Sequence, residues 1–319
     1  MEKILNKLSL AGIVPVIAID DAGDAEPLAQ ALIDGGLPCA EITFRTAAAK
    51  EAMTRISKKF PSMLMGAGTV LTVDQVNTAV DCGAAFIVSP GLNPKVAEYC
   101  VSKGIPVTPG VATPSDIERA IELGLTTVKF FPAEANGGLP FLKAISAPYK
   151  QMKFIPTGGI DESNLLSYLK FPPIRACGGS WMVKSEMIAN KQFDEIKKLT
   201  ERAVQLMLGF ELKHVGMNTG SPGQSMDAAR ELSMLLSLPI KEGNSSNVVG
   251  TQFEVMKKQY LGTNGHLAVG TNFIHRAIAH LESRGYSVKH ETAVEKNNDL
   301  IAVYLDKEIA GFAIHLLQK

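Results

Sequence analysis

Short apolar runs recur along the first two-thirds of the chain. They start near Val14 (VPVIAI), Cys39 (CAEITF), Met63 (MLMGAGTV), Phe86 (FIVSPG), Pro106 (PVTPG), Thr127 (TVKFFPA), Lys153 (KFIPTGG) and Arg175 (RACGGSW), so successive starts lie 20 to 26 residues apart. Between them lie stretches with helical apolar spacing, such as Pro27–Asp34, Ala47–Lys58 and Pro114–Leu123. Glycines follow several of these stretches, at Gly35, Gly83, Gly104 and Gly124, which suits a helix stop. Ahead of the first run, Lys3 and Lys7 precede an apolar stretch that Pro15 interrupts and Asp20-Asp21 ends. That reads as an amphipathic helix and a buried strand rather than a cleaved leader. Eight strands alternating with helices predict a (β/α)8 TIM barrel. An open doubly wound sheet is the alternative that the same alternation allows.

Past a helical stretch at Phe193–Leu208 the pattern changes. KHVGMNT, a helix near Met226–Leu238 and strand-like VVGTQFEVMK are followed by GHLAVGT, a helix near Phe273–Arg284, and then YSVKHET, LIAVYLD and EIAGFAIHLLQK. These are two loosely repeated halves, with His214 and His266 at matching places 52 residues apart. All six histidines lie beyond residue 213 and all four cysteines before residue 178, which supports a boundary close to Gly209. The expected organisation is a barrel domain over 1–209 and a smaller α+β domain of two βαβββ-like modules over 210–319.

Charge removes some partners. The 32 basic and 32 acidic residues balance, which argues against a nucleic-acid surface or a polybasic membrane contact. No apolar run approaches the ~18 residues of a membrane span. Cys39, Cys82, Cys100 and Cys177 are too far apart in sequence to form a metal or redox pair, and so few cysteines suit a reducing compartment. The expectation is a cytoplasmic protein.

In a barrel of this kind, chemistry sits at the C-terminal ends of the strands. The second run offers Glu41, Thr43 and Arg45, spaced by two and so on one strand face, with Ile42 and Phe44 on the other. Glu41 and Arg45 would then point into the barrel mouth; the plainer reading makes each an exposed strand-end charge. The sixth run holds Lys129 between Val128 and Phe130. Burial disfavours an ammonium, and a neutral amine is what a Schiff-base nucleophile needs; the plainer reading is a snorkelling lysine, which Lys153 and Lys184 fit better. The seventh and eighth runs end in Thr157-Gly158-Gly159 and Gly178-Gly179-Ser180. Glycines there let backbone N–H groups approach an anion, although loops are rich in glycine in any case.

The segments EITFRT, GAGTV, SPG, VKFFPAEANGG, PTGGI and GGSWM, in this order over about residues 1–208, resemble those of the 2-keto-3-deoxy-6-phosphogluconate (KDPG) aldolase family, many of whose members also cleave 4-hydroxy-2-oxoglutarate (KHG). The resemblance implies a class I aldolase that needs no cofactor. Lys129 would form the Schiff base and Glu41 would move protons. Arg45 and Thr69 would hold the pyruvate carboxylate, and Pro90 and Phe131 would wall its methyl group. Thr157 would contact the substrate chain, and Gly158, Gly159, Gly179 and Ser180 would hold the phosphate of a phosphorylated keto acid. It also implies a homotrimer. Phe44 stands where leucine is common.

The tail, through KHVGM, FEVMK, GHLAVG and GFAIHL, resembles the vicinal oxygen chelate superfamily, which includes the glyoxalases. Carried over, that family's ligand positions fall on His214, Glu254, His266 and His315, implying a divalent metal; the plainer reading is four ordinary strand-edge polar residues. Two rivals stand beside the enzyme reading. One is a binding protein with a degenerate barrel and a metal-binding sensor tail, and the other is a phosphate-binding barrel enzyme of different chemistry. The sequence leaves the preferred acid open among KDPG, its galactonate epimer and KHG.

Overall fold

The computed structural model describes Met1–Lys319 and divides into two compact units, Met1–Met207 and Leu208–Lys319. In the first unit the strands are β1 Ile13–Ile17, β2 Cys39–Thr43, β3 Leu64–Gly68, β4 Phe86–Val88, β5 Val107–Thr108, β6 Gly110–Val111, β7 Thr127–Phe130, β8 Lys153–Pro156 and β9 Cys177–Gly179. Each of the eight apolar runs carries a strand. The fifth carries two, because Val107–Thr108 pairs with β4 and Gly110–Val111 with β7, with Pro109 between them. Six strands lie in the order β5-β4-β3-β2-β1-β9 and three in the order β6-β7-β8, all paired in parallel. Single parallel bridges, Phe154–Ile174 and Thr157–Gly178, run between the β8 and β9 segments. The result is a curled parallel sheet with seams at Pro109 and between β8 and β9.

Every residue of β1 and β2 is buried, as a parallel sheet covered on both faces requires. Tight contacts depend on missing side chains: a Cβ on Gly66 of β3 would lie 2.3 Å from the buried Phe86 ring of β4. Polar side chains set the helix starts. Thr72 with Gln75, and Thr113 with Asp116, form capping boxes at the helices Val73–Asp81 and Pro114–Glu122. The helix Ala25–Asp34 turns off one residue later than the glycine pattern suggested, with Gly35 still right-handed and Gly36 taking the left-handed φ of 85°. All four cysteines are buried and none forms a disulfide. No helix is long and apolar enough to cross a membrane.

The second unit is mainly β. Its strands are β10 Glu211–Met217, β11 Ile240–Glu242, β12 Ser246–Val249, β13 Phe253–Met256, β14 Gly265–Thr271, β15 Val288–Lys296, β16 Asp299–Leu305 and β17 Phe312–Gln318, with helices Pro222–Leu236 and Ile274–Glu282. They form one eight-stranded sheet in the order β11-β12-β13-β10-β14-β17-β16-β15. The succession strand, helix, three strands occurs twice. Antiparallel β10 and β14 lie at the centre, and the sheet order outward from each is the same.

Side-chain alternation divides the faces of that sheet. Val249 and Val255 pack with Ala229 of the helix Pro222–Leu236, so Glu254, next to Val255, faces the other way. Register places Glu254 beside Gly216, Gly216 beside His266, and Ala268 between His214 and His315. Glu254, His214, His266 and His315 therefore share the face opposite that helix.

Candidate functional site

Lys129 and Glu41 meet at the centre of the first unit. Lys129 Nζ donates to Glu41 Oε1 at 3.3 Å, and both side chains are more than nine-tenths buried. Val128 and Phe130 beside the lysine are fully buried, so the strand carries the amine into an apolar interior. Glu41 fits because β3 runs close by without a side chain: a Cβ on Gly68 would lie 2.2 Å from Glu41 Oε1. Lys129, Glu41 and Thr157 line one small enclosed cavity together with Thr108, Ile155 and Val88. Phe131 presents its ring 5.2 Å from Lys129 Nζ.

Arg45 and Thr69 also meet. Arg45 Nε donates to Thr69 Oγ1 at 3.3 Å. The strand alternation that placed Arg45 on the face of Glu41 does not reach it, however. β2 ends at Thr43, whose hydroxyl donates to the Ile17 carbonyl, and Arg45 sits exposed in the following turn. Thr69, just past β3, holds a left-handed φ of 56°, a conformation that β-branched residues rarely adopt. Pro90 follows β4 and is half-buried.

The glycines after β8 make a distinct backbone surface. Gly158 and Gly159 are consecutively left-handed, with φ of 97° and 79°. The carbonyls of Thr157 and Gly158 accept N–H bonds from Ala133 (2.8 Å) and Glu134 (3.0 Å). The Gly159 carbonyl accepts Asn164 Nδ2 at 2.9 Å. Within a trans peptide the N–H points opposite to the C=O, so the N–H groups of Gly158, Gly159 and Ile160 turn away from those three partners. The Thr157–Gly178 bridge turns the Gly158 N–H toward the Gly178 carbonyl, whereas the N–H groups of Gly159 and Ile160 have no acceptor within the protein. Successive free N–H groups of this kind form an anion-binding concavity. The neighbouring β9 brings Gly178 against Thr157, with room for no side chain: a Cβ there would lie 2.3 Å from Thr157 Oγ1. Gly179 ends β9, and Ser180 follows, exposed.

In the second unit the four residues singled out from sequence come together. His214 Nε2 and His266 Nε2 are 3.1 Å apart, and Glu254 Oε2 lies 3.2 Å from the first and 3.3 Å from the second. One ring nitrogen each of His214, His266 and His315 falls within a 4.8 Å span. Hydrogen bonds from His214 and His266 hold the Glu254 carboxyl well below the usual carboxylate range, and Ser246 adds to this through its hydroxyl, 2.6 Å from Oε1. Burial, then the neighbouring His266 and His214, lower His315 to about 3. Tyr304 stacks on the His315 ring at 4.5 Å. A Cβ on Gly216 would lie 2.0 Å from the His266 ring, so that glycine makes the ring's space.

Several contributors were not singled out from sequence. Ile160 joins the free N–H groups although its side chain is ordinary. Glu134 lay unremarked inside VKFFPAEANGG. Ser246 and Tyr304 are two of many polar strand residues. The sequence carried a signal for Ser246 only in hindsight of register, since it stands at the start of the strand paired with β13.

Comparison with known proteins covers the first unit. The family model described as "Aldolase: KDPG and KHG aldolase" matches residues 4–199. A 2-dehydro-3-deoxy-phosphogluconate aldolase of Treponema pallidum is 45% identical over 207 residues, which are 65% of this chain and 99% of that protein. One from Haemophilus influenzae is 47% identical over 65% of this chain and 97% of its own length. Among solved structures, the KDPG aldolase of Legionella pneumophila, with pyruvate captured as a covalent carbinolamine, is 40% identical with a TM-score of 0.61, covering 62% of this chain and 97% of that one. The Zymomonas mobilis enzyme with 3-phosphoglycerate is 40% identical with a TM-score of 0.59, covering 64% and 95%. The curled parallel sheet is thus of the aldolase type.

Proposed function

The chain belongs to the KDPG and KHG aldolase family, and from that premise we propose that it cleaves 2-keto-3-deoxy-6-phosphogluconate to pyruvate and glyceraldehyde 3-phosphate, and 4-hydroxy-2-oxoglutarate to pyruvate and glyoxylate. It is a carbon–carbon lyase. The observation that carries the substrate reading is the buried Lys129–Glu41 pair beside the free N–H groups of Gly159 and Ile160. Together they supply an amine and a proton carrier at one end of a substrate and an anion site at the other. On this reading the curled sheet is a (β/α)8 barrel whose strand ends hold the site, the enzyme is a cytoplasmic homotrimer, and the galactonate epimer is the alternative substrate.

Lys129 attacks the C2 ketone, and water leaves to give a cationic iminium. That cation accepts the electron pair released when the C3–C4 bond breaks, as the C4 hydroxyl loses its proton. The aldehyde departs and a pyruvyl enamine remains, which is protonated at C3; hydrolysis of the iminium then frees pyruvate and the amine. Glu41, in contact with Nζ, is the group placed to carry these protons. Arg45 and Thr69 take the carboxylate, Pro90 and Phe131 wall the methyl group, and Thr157 meets the substrate chain. Gly158 gives the phosphate loop its left-handed turn, and Gly159, Gly179 and Ser180 hold the phosphate through backbone N–H groups and a hydroxyl. The test is reductive trapping. Pyruvate with borohydride should label Lys129, and label on another lysine, or none, would sink the assignment.

For the second unit we read a divalent metal centre on a fold of the vicinal oxygen chelate type. Donor atoms 2.0–2.1 Å from a tetrahedral zinc lie about 3.3 Å from one another, the spacing at which His214, His266 and Glu254 stand. Three imidazoles and a carboxylate suit zinc, nickel, cobalt, iron or manganese. His214, Glu254, His266 and His315 would hold the ion, which would supply Lewis-acid polarisation of a bound oxygen. Elemental analysis of the purified protein should give close to one metal per chain, and a His214→Ala/His266→Ala double variant should give none.

A further inference from the structure

Behind the Gly158–Ile160 loop stands a carboxylate that the reaction does not use. Glu134 is exposed, yet its Oε1 accepts the hydroxyl of fully buried Tyr168 at 2.5 Å. Its side-chain stem lies flat against the loop: a Cβ on Gly159 would fall 2.6 Å from Glu134 Cβ and Cγ. Its backbone N–H meanwhile holds the Gly158 carbonyl at 3.0 Å. Glu134 therefore touches the loop through both its main chain and its side chain, and Tyr168 fixes the far end of that side chain. The carboxylate also lies against the next turn, since Oε1 is 3.0 Å from where a Cβ on Gly138 would stand.

Two successive left-handed residues are a conformation open chiefly to glycine, and glycine is also the residue freest to leave it. Asn164 holds the loop through the Gly159 carbonyl, and Ala133 and Glu134 hold it from the other side. Without a strut, the two peptide planes that follow Gly158 and Gly159 would be free to rotate and disperse the N–H directions of Gly159 and Ile160. Pre-set donors bind an anion better than donors that must be ordered on binding.

We infer that Glu134, locked by Tyr168, is a positioning residue that keeps the Gly159 and Ile160 N–H groups aimed at the substrate phosphate, and so sets the preference for phosphorylated over unphosphorylated keto acids. This rests on the phosphate reading of the loop. Glu134 touches neither Lys129 nor Glu41, so its effect belongs to binding of the distal end and not to imine chemistry.

The experiment is steady-state kinetics of the full-length protein on KDPG and on KHG, the second having no phosphate. Glu134→Ala should raise KM for KDPG about tenfold, with kcat within about twofold and KM for KHG unchanged. Glu134→Gln keeps the stem and an acceptor for Tyr168, and should restore the wild-type KM. Tyr168→Phe should move KM for KDPG in the same direction as Glu134→Ala, and it carries the test if the alanine variant does not fold. Parallel losses on both substrates would reduce Glu134 to a purely structural role, and unchanged kinetics in both Glu134→Ala and Tyr168→Phe would remove it altogether. Wild-type KDPG cleavage that inorganic phosphate does not inhibit would overturn the phosphate reading of the loop itself, and the strut with it.

Discussion

At the scale of single residues, the aldolase site depends as much on absent atoms as on present ones. Glu41 reaches Lys129 because Gly68 leaves its carboxylate room. Gly68→Ala would place a Cβ 2.2 Å from Glu41 Oε1, and the carboxylate must then swing off the amine. We expect kcat to fall on the order of 100-fold, as misplacing a catalytic group by about 1 Å does. Borohydride trapping should still find Lys129, only more slowly. A variant with unchanged kcat would show that the contact between the two side chains is not needed for turnover. The same logic applies to Ser246, which engages Glu254 Oε1 and leaves Oε2 to the imidazoles. Ser246→Ala should weaken metal retention by roughly 10- to 100-fold, the usual cost of losing an outer partner of a ligand. Competition with a chelating dye would read this directly.

At the scale of elements, the spacing of apolar runs located all eight strand positions of the first unit, because strands buried on both faces are apolar throughout and stand out from amphipathic helices. It could not show that the fifth run breaks at Pro109, since that depends on which neighbour each half pairs with. Arg45 marks the limit of period-two reasoning. Alternation ends with β2 at Thr43, two residues before it, and the side chain then reaches Thr69 across a turn whose path the sequence does not fix. The glycine pair was legible in the sequence, but not which donors stay free, because one of them comes from Ile160 through its backbone and the Gly158 N–H turns to the Gly178 carbonyl. In the tail, the repeat related His214 to His266 and the resemblance to the vicinal oxygen chelate superfamily added Glu254 and His315, and only strand register shows that the four share a face. Loop chemistry gives its own prediction. Ser180→Asp sets a carboxylate next to the anion site, and should weaken KDPG far more than KHG through repulsion at close range. Equal losses for both substrates would place the phosphate elsewhere.

At the scale of the molecule, the second unit should respond to acid through its histidine cluster. Glu254, held below its ordinary range by His214 and His266, contributes stability above the unfolded carboxyl value near 4.5 and loses it as pH falls. His315, lowered to about 3 by burial, remains neutral in the fold while an unfolded histidine takes up a proton near 6.5. The unfolded state thus binds more protons between those two values, and stability again falls with pH. Both effects have the same sign and lie in the second unit. Metal-free protein should therefore lose hydrogen-exchange protection over 208–319 between about pH 6.5 and 3; protection there that stays unchanged across this window would contradict this. The catalytic roles should separate as well. The Treponema relative matches 207 residues of this chain over 99% of its own length, so the first unit has the extent of a whole enzyme of the family. Imine chemistry on Lys129 draws its electron sink from the iminium itself, so chelation should strip the metal and leave KDPG cleavage unchanged. A chain ending after Met207 should cleave KDPG with a kcat close to that of the full protein. A thermal melt beside the assay separates lost stability from lost chemistry. Activity that disappears on chelation while the melt stays unchanged would couple the histidine cluster to the aldol step, and the mechanism given for Lys129 and Glu41 would have to be rewritten.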